Sequence, residues 1–359
     1  MFPKSKEKDI FICIKKGRSK LIFIVFLWLV LIVVGIKYNK TASETAFTLD
    51  NSVALRGICA IEIMMGHLGI ATGTMILYPN RKAGNLFVGV FFALSGYGLM
   101  YSVINKNDYM VNFIFKKAGK LLIPVYIVFV INNVLGSVIE KRALDLAEFV
   151  NIKNIFLMTN WYVWELLMLY IVFHICFKIS RNAKIIFRVI LCFSIIFVIA
   201  AYVLKLENPW YGSTLCFGFG MFYYLHREQF KEIFVFRNPF IKMAGCCLIM
   251  TASIYLFFVR GGVIGLLVSR NVASVTFVVL LLSCLHRFSI GNSVSVWLGK
   301  CSYEIFLFHP LFIRILRPWI KNDVIYSFLV IGITILVSYL YILCECRIKL
   351  MCKKYMQKG

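Results

Sequence analysis

The chain is built from apolar blocks, most of them about as long as the 17–25 residues a helix needs to cross a lipid bilayer. They fall near 21–36, 53–71, 86–104, 121–139, 156–177, 186–204, 212–225, 242–258, 272–285, 302–319 and 324–344. The blocks at 21–36, 212–225 and 272–285 are short for a crossing. The expected fold class is therefore all-α: a polytopic transmembrane helical bundle of about ten core helices plus one extra N-terminal apolar segment. The chain is 61% hydrophobic and 16% charged, where a soluble protein carries about 25% charged residues. Its longest polar stretch, about 139–154, is only a loop, so no soluble domain fits. The expected organisation is a basic segment at 1–20, an extra transmembrane or re-entrant segment at 21–36, a membrane domain at 50–346 and a basic cytoplasmic tail at 347–359.

The net charge of +24 would suggest nucleic acid in a soluble protein. Here the cations lie between apolar blocks, as in cytoplasmic loops: Lys116, Lys117 and Lys120; Lys178, Arg181 and Lys184; Arg227, Lys231, Arg237 and Lys242; and the tail from Arg347 to Lys358. Alternate loops carry fewer, such as Lys205 alone. This pattern implies a multi-pass membrane protein with a cytoplasmic C-terminus, with the bilayer as a partner and nucleic acid excluded. The N-terminal lysines argue against it, since a crossing at 21–36 would invert every later loop. Either the N-terminus lies outside or 21–36 is re-entrant or interfacial. A signal peptide is a third reading, though IKYNKTASETA is a poor cleavage site.

Most of the twelve cysteines sit inside apolar blocks with no zinc-like spacing, which reads as buried free thiols. No metal site is expected, and no nucleotide-binding glycine loop or G-x-S-x-G occurs.

Ionisable residues within such blocks are expensive and usually have a partner or a use. Arg56 and His67 are eleven positions apart in SVALRGICAIEIMMGHLGIATG. That is about three helical turns, so they share a face roughly 16 Å apart along the axis. Glu62 falls on another face and is not the obvious partner of His67. In NLFVGVFFALSGYGLMYS, Gly89, Gly96 and Gly98 allow close approach of a helix or a ligand, and Ser95 can hydrogen-bond. Helix packing alone would explain that stretch. Lys117 and Lys120 share one face of a helix start with Pro124 near its first turn, either as positive-inside charge or as a cradle for an anionic donor. Trp161 and Tyr162 read as an interfacial belt, while Glu165 can orient a histidine, take a proton, or sit protonated against a neighbouring helix. His309 lies deep in its block before Pro310, where a packing histidine is the ordinary reading, and Ser302 is placed to cap that helix. His174, His226 and His286 lie near block ends and read as interfacial.

In order, these stretches resemble the acyltransferase 3 family, bacterial integral-membrane acyltransferases of surface sugars. Arg56 with His67 is similar to the family's opening motif, FVGVFFALSGYGL to its FF-x-L-SG signature, and KKAGKLLIP to its basic loop before a proline, with Lys117 and Lys120 in place of arginines. NPWYGSTLCFGFGMFYY and LGKCSYEIFLFHP resemble its later blocks. The resemblance covers about residues 50–345. It departs from the family in the segment at 21–36, in Gly89 where many members carry an acidic residue or proline, and in lysines that cannot make arginine's bidentate phosphate contact. No esterase-like C-terminal domain follows, so transfer is expected to finish on this chain or with a separate partner.

The resemblance implies a plasma-membrane acyltransferase moving an acyl group, acetyl in the first instance, from acetyl-CoA or another acyl-CoA to a hydroxyl of a cell-surface or lipid-linked glycan, such as a capsular or exopolysaccharide unit. His67 would be general base or transient acyl carrier, with Arg56, Glu165 and His309 as further catalytic candidates. Lys117, Lys120, Arg56 and Ser95 would bind the donor. The main alternative is a transporter or flippase for a lipid-linked glycan, which needs no Arg56/His67 spacing. A polymerase would want a long outer loop rich in Arg and His, which is missing here. A receptor or scaffold should not depend on His67.

Overall fold

The computed structural model describes residues 32–73, 78–141, 143, 146–150, 161–260 and 262–356. The basic segment at 1–20 and most of the apolar segment at 21–36 lie outside the described residues. The rest is helical apart from one short antiparallel pair, β1 (Lys37–Tyr38) with β2 (Phe288–Ser289). The helices are α1 (Leu49–Thr72), α2 (Tyr78–Asn105), α3 (Phe113–Glu140), α4 (Trp161–Ile179), α5 (Ala183–Val203), α6 (Leu215–Leu225), α7 (Arg227–Lys231), α8 (Pro239–Val259), α9 (Ser269–Leu285), α10 (Ser293–Lys300), α11 (Ser302–Leu316) and α12 (Asp323–Met356).

Eight helical segments among the described residues are long and apolar enough to cross a bilayer. Each of the ten expected core blocks contains a helix. The blocks at 212–225 and 302–319 fold as helices of 11 and 15 residues, too short to be counted among those eight. Side chains of α8 such as Phe240, Ile241 and Leu248 are exposed, as expected of a helix whose solvent is hydrocarbon.

The chain divides into two compact units. The first contains the described parts of Met1–Ile36, Arg56–Ala83 and Gly291–Gly359. In it α1 meets α10 backbone to backbone at Gly57. A Cβ there would lie 2.5 Å from the Ser295 carbonyl oxygen and 2.6 Å from the Gly299 nitrogen, so only glycine fits. A capping box starts α10: Asn292 Oδ1 accepts from the Ser295 N–H at 2.8 Å, and Ser295 Oγ accepts from the Asn292 N–H at 3.0 Å. The expected cap at Ser302 is not formed. Its hydroxyl donates to the Gly299 carbonyl (3.0 Å), because α10 ends only two residues before α11 begins and leaves that carbonyl available. The α11–α12 connection is held by the Arg317–Asp323 ion pair (2.7 Å) and by Tyr326 Oη donating to the Ile313 carbonyl (2.7 Å).

The second unit is Lys37–Leu55 with Gly84–Ile290. Here α2 and α6 cross through two glycines: a Cβ at Gly96 would strike the Phe217 carbonyl, and one at Gly220 would strike that of Ala93. Gly98, expected to share this role, faces open space. Pro124 sits in the interior of α3, not its first turn, because the helix begins at Phe113. Tyr162 is buried against Phe91 and Phe92 and so belongs to the core, not to a belt.

His286 is also fully buried, where an interfacial position was expected. Both its nitrogens are used: Nδ1–H donates to the Ser43 carbonyl (2.8 Å) and Nε2 accepts from Tyr223 Oη (3.0 Å). Tyr223 Oη in turn accepts from the Ala46 N–H (2.8 Å), so the ring fastens the segment before α1. Burial pushes the His286 pKa down, which keeps Nε2 free to accept.

Candidate active site

The eleven-residue spacing does what helical geometry requires: Arg56 and His67 are both exposed on α1, among buried neighbours such as Leu55, Cys59, Met64 and Leu68. The partner of His67 comes from a position 242 residues away in sequence. His67 Nδ1 lies 2.6 Å from Nε2 of His309 on α11. The ring centroids are 4.9 Å apart and the planes differ by 22°. That centroid distance is the nitrogen–nitrogen distance plus two ring radii, so the imidazoles meet edge to edge along a shared hydrogen bond.

The protons on this pair follow from its far end. His309 Nδ1 is 3.0 Å from the Ile305 carbonyl oxygen one turn back. A carbonyl only accepts, so in the neutral pair His309 Nδ1 carries the proton and Nε2 holds a lone pair. His67 Nδ1–H donates to that lone pair, which leaves His67 Nε2 unprotonated. His309 is fully buried and His67 is exposed, so the chain of donors begins inside the protein and ends in a basic nitrogen on an accessible ring. Pro310 contributes locally: it has no N–H, so α11 forgoes one backbone hydrogen bond immediately after His309. Glu62 and Glu304 are buried carboxylates of the same unit. Among the described residues no three His, Cys, Asp or Glu side chains gather around a possible metal position.

The other expected site residues belong to the second unit, each in its own surroundings. Lys117 turns its ammonium toward Tyr170, Phe113 and Tyr109, at 5.0, 5.7 and 5.8 Å from the ring centroids. Lys120, three positions on, is exposed, as is Lys116. The pair expected to act together therefore divides into one caged cation and one solvated one. Ser95 is half-buried on α2 beside the Gly96 crossing. Glu165 on α4 is 1% exposed. Thr214 and Cys216 are its neighbours, and the Thr214 hydroxyl interacts with the carboxyl without reaching full hydrogen-bond geometry.

Sequence reasoning named no individual residue in NPWYGST or at the start of α9, where the buried Ser213, Thr214, Asn271 and Ser274 gather with the half-buried Arg270 and with Asn85 of α2. The available signal was a cluster of amides and hydroxyls, with one arginine, beside apolar blocks. The Ile305 carbonyl left no signal, since every residue has one.

A family model described as an acyltransferase domain matches residues 48–343. No curated protein and no solved structure matches the chain.

Proposed function

Because the chain belongs to the acyltransferase domain family, and is a multi-pass membrane protein with eight apolar helices long enough to span, we propose that this membrane acyltransferase moves an acetyl group from acetyl-CoA to a glycan hydroxyl. The observation that carries the reading is the hydrogen-bonded series from the Ile305 carbonyl through His309 to His67.

His67 Nε2 removes the proton of a sugar hydroxyl as that oxygen attacks the thioester carbonyl. The charge that develops on His67 is steadied by His309 Nε2, which accepts the Nδ1 proton and holds the ring in one tautomer. Collapse of the tetrahedral intermediate expels the coenzyme thiolate, and the imidazolium returns its proton to that sulfur. The products are the O-acetyl sugar and free coenzyme A, and His67 is again neutral. Arg56 stands about 16 Å from His67 along α1, too far to touch the reacting carbonyl. Its role is to hold a phosphate of the donor, whose long arm then carries the thioester toward the histidine. On the second unit the exposed Lys120 is better suited to meet an anion than Lys117, which the aromatic rings enclose. Ser95 belongs to the packing of the Gly96 crossing more than to donor binding. The basic tail from Arg347 to Lys358 supports a cytoplasmic C-terminus, on the side that supplies acetyl-CoA. The acceptor is a cell-surface or lipid-linked sugar.

The test is the O-acetyl content of surface glycans in a deletion strain complemented with wild type or with His67→Ala at matched membrane levels. Acetyl groups are expected to vanish in the deletion and return with wild type only. Full restoration by His67→Ala would remove His67 from the chemistry, and unchanged acetyl content in the deletion would remove the glycan assignment.

A further inference from the structure

Among the described residues eleven buried side-chain polar atoms have no hydrogen-bond partner, and seven of them lie in one seam of the second unit. They are Asn85 Oδ1, both oxygens of Glu165, Ser213 Oγ, Thr214 Oγ1, Arg270 Nε and Asn271 Oδ1. Roughly 90% or more of buried polar groups find a partner, so a cluster of exceptions calls for a cause.

The seam is continuous. Asn85 Nδ2 donates to the Gly212 carbonyl and to Ser274 Oγ, both at 2.7 Å. A Cβ at Gly212 would crowd Asn85 Oδ1 and lie 2.8 Å from Arg270 Nε. A Cβ at Gly89 would lie 3.0 Å from Cys216 Sγ and 3.4 Å from Ser274 Cβ. Cys216 and Thr214 adjoin the Glu165 carboxyl. The backbone is shaped for this arrangement. A π-helical turn at Val263–Val268 leads into α9, and Asn271 Nδ2 spans the Leu267 carbonyl (2.9 Å) and the Tyr211 carbonyl (2.5 Å). Such turns interrupt helices mostly at functional positions.

The chemistry of the orphans selects the ligand. An unpaired carboxyl this deeply buried stays protonated, so three of the seven, the two amide oxygens and the carbonyl oxygen of Glu165, can only accept. The Glu165 O–H and the two hydroxyls do either, and one is a guanidinium N–H. An anion rich in acceptors, such as a phosphate, would meet three groups that cannot donate to it. A molecule with several O–H donors on a compact frame matches the set. We propose that the seam formed by Asn85, Glu165, Ser213, Thr214, Arg270 and Asn271 is a binding site for the hydroxyls of a sugar ring. This deepens the acyltransferase reading by naming a sugar-binding site on the second unit, and rests on it for the choice of a glycan as occupant. The atoms are closed to solvent in this structure, so the turn at 212–216 must part from α2 to admit the ring. Around Gly89 the groups that face α2 are small, Ser213, Cys216 and Ser274.

Two variants test it cleanly. Ser213→Ala deletes an unpartnered hydroxyl and Thr214→Val one whose nearest polar group is the Glu165 carboxyl, and Thr214 makes no side-chain cap to α6 that the change would break. Removing an unsatisfied buried hydroxyl stabilises a fold, whereas a hydroxyl kept for a ligand is missed by that ligand. Full-length protein in nanodiscs is examined by saturation-transfer NMR with the methyl glycosides of glucose, galactose and N-acetylglucosamine, with pantetheine as a separate arm, alongside thermal unfolding. At least one glycoside is expected to bind, and to bind each variant about tenfold or more weakly, while Ser213→Ala raises Tm. Binding is read without acetyl-CoA, so a protein that binds glycosides but transfers no acetyl group keeps this site and loses only the transfer reading. The proposal is overturned if no glycoside binds, if the variants bind as wild type, if pantetheine alone binds, or if Ser213→Ala lowers Tm.

Discussion

The histidine pair of the first unit and the polar seam of the second are made from similar atoms under opposite rules. In the pair the buried ring has a partner at each nitrogen, and the one nitrogen left over belongs to an exposed ring. In the seam seven closed-off atoms have none. A satisfied network rigidifies and fixes proton positions, which is what a base needs. An unsatisfied one costs stability in the folded protein and gains only when something else supplies the missing bonds. Preorganised chemistry and deferred recognition are thus legible as two different hydrogen-bond inventories.

The largest effect expected from breaking this contrast is on the pair. His67→Ala should lower acetyl transfer by about 10²–10⁴, the usual contribution of a positioned general base, as read from initial rates with purified protein. His309→Ala should fall next, by about 10², within the same range, because His67 loses its tautomer anchor but keeps its base. His309→Gln, whose amide oxygen can accept the His67 Nδ1 proton, should recover part of that loss. Equal activity of His309→Ala and wild type would show that the anchor is dispensable.

Gly57→Val should act on stability. The side chain has no room against Ser295 and Gly299, and overpacking of this kind costs about 1–3 kcal/mol. Denaturation in mild detergent should show a lowered Tm, and a Tm at the wild-type value would mean that α1 and α10 separate freely.

The smallest effect concerns pH and His286. Its folded pKa lies below the unfolded value of about 6.5, so the unfolded chain binds more protons there and stability rises with pH. Stability is therefore full above about pH 6.5 and declines as pH falls below it. His286→Gln keeps one donor and one acceptor without titrating, so its Tm should change less than that of wild type between pH 7 and 5. Parallel curves for the two proteins would remove His286 as the cause.

Much of the fold was legible in the sequence. The core blocks 53–71 and 186–204 reappear as Leu49–Thr72 and Ala183–Val203, because in lipid an apolar run of the right length has few alternatives to a helix. The shared face of Arg56 and His67 was legible for the same reason, since the period of a helix fixes what lies eleven residues on. Long-range relations were not. His309 in isolation reads as a packing residue, and nothing in the local pattern of either block names the other histidine. His286 looked interfacial because position within a block was the only cue, whereas its burial depends on Ser43 and Tyr223.

The sequence by itself determined that the chain is a set of membrane-length helices, where they lie, and that an arginine and a histidine project from one face of the first. Local backbone geometry and hydrophobic length decide those things, and both are written in consecutive residues. The tertiary structure alone decided that the acceptor of the His67 proton is His309, that Lys117 is caged while Lys120 is free to solvent, and that Glu165 lies with Thr214 and Cys216 among unsatisfied groups. Each of those facts is a meeting of residues from different helices, and only packing settles which faces meet.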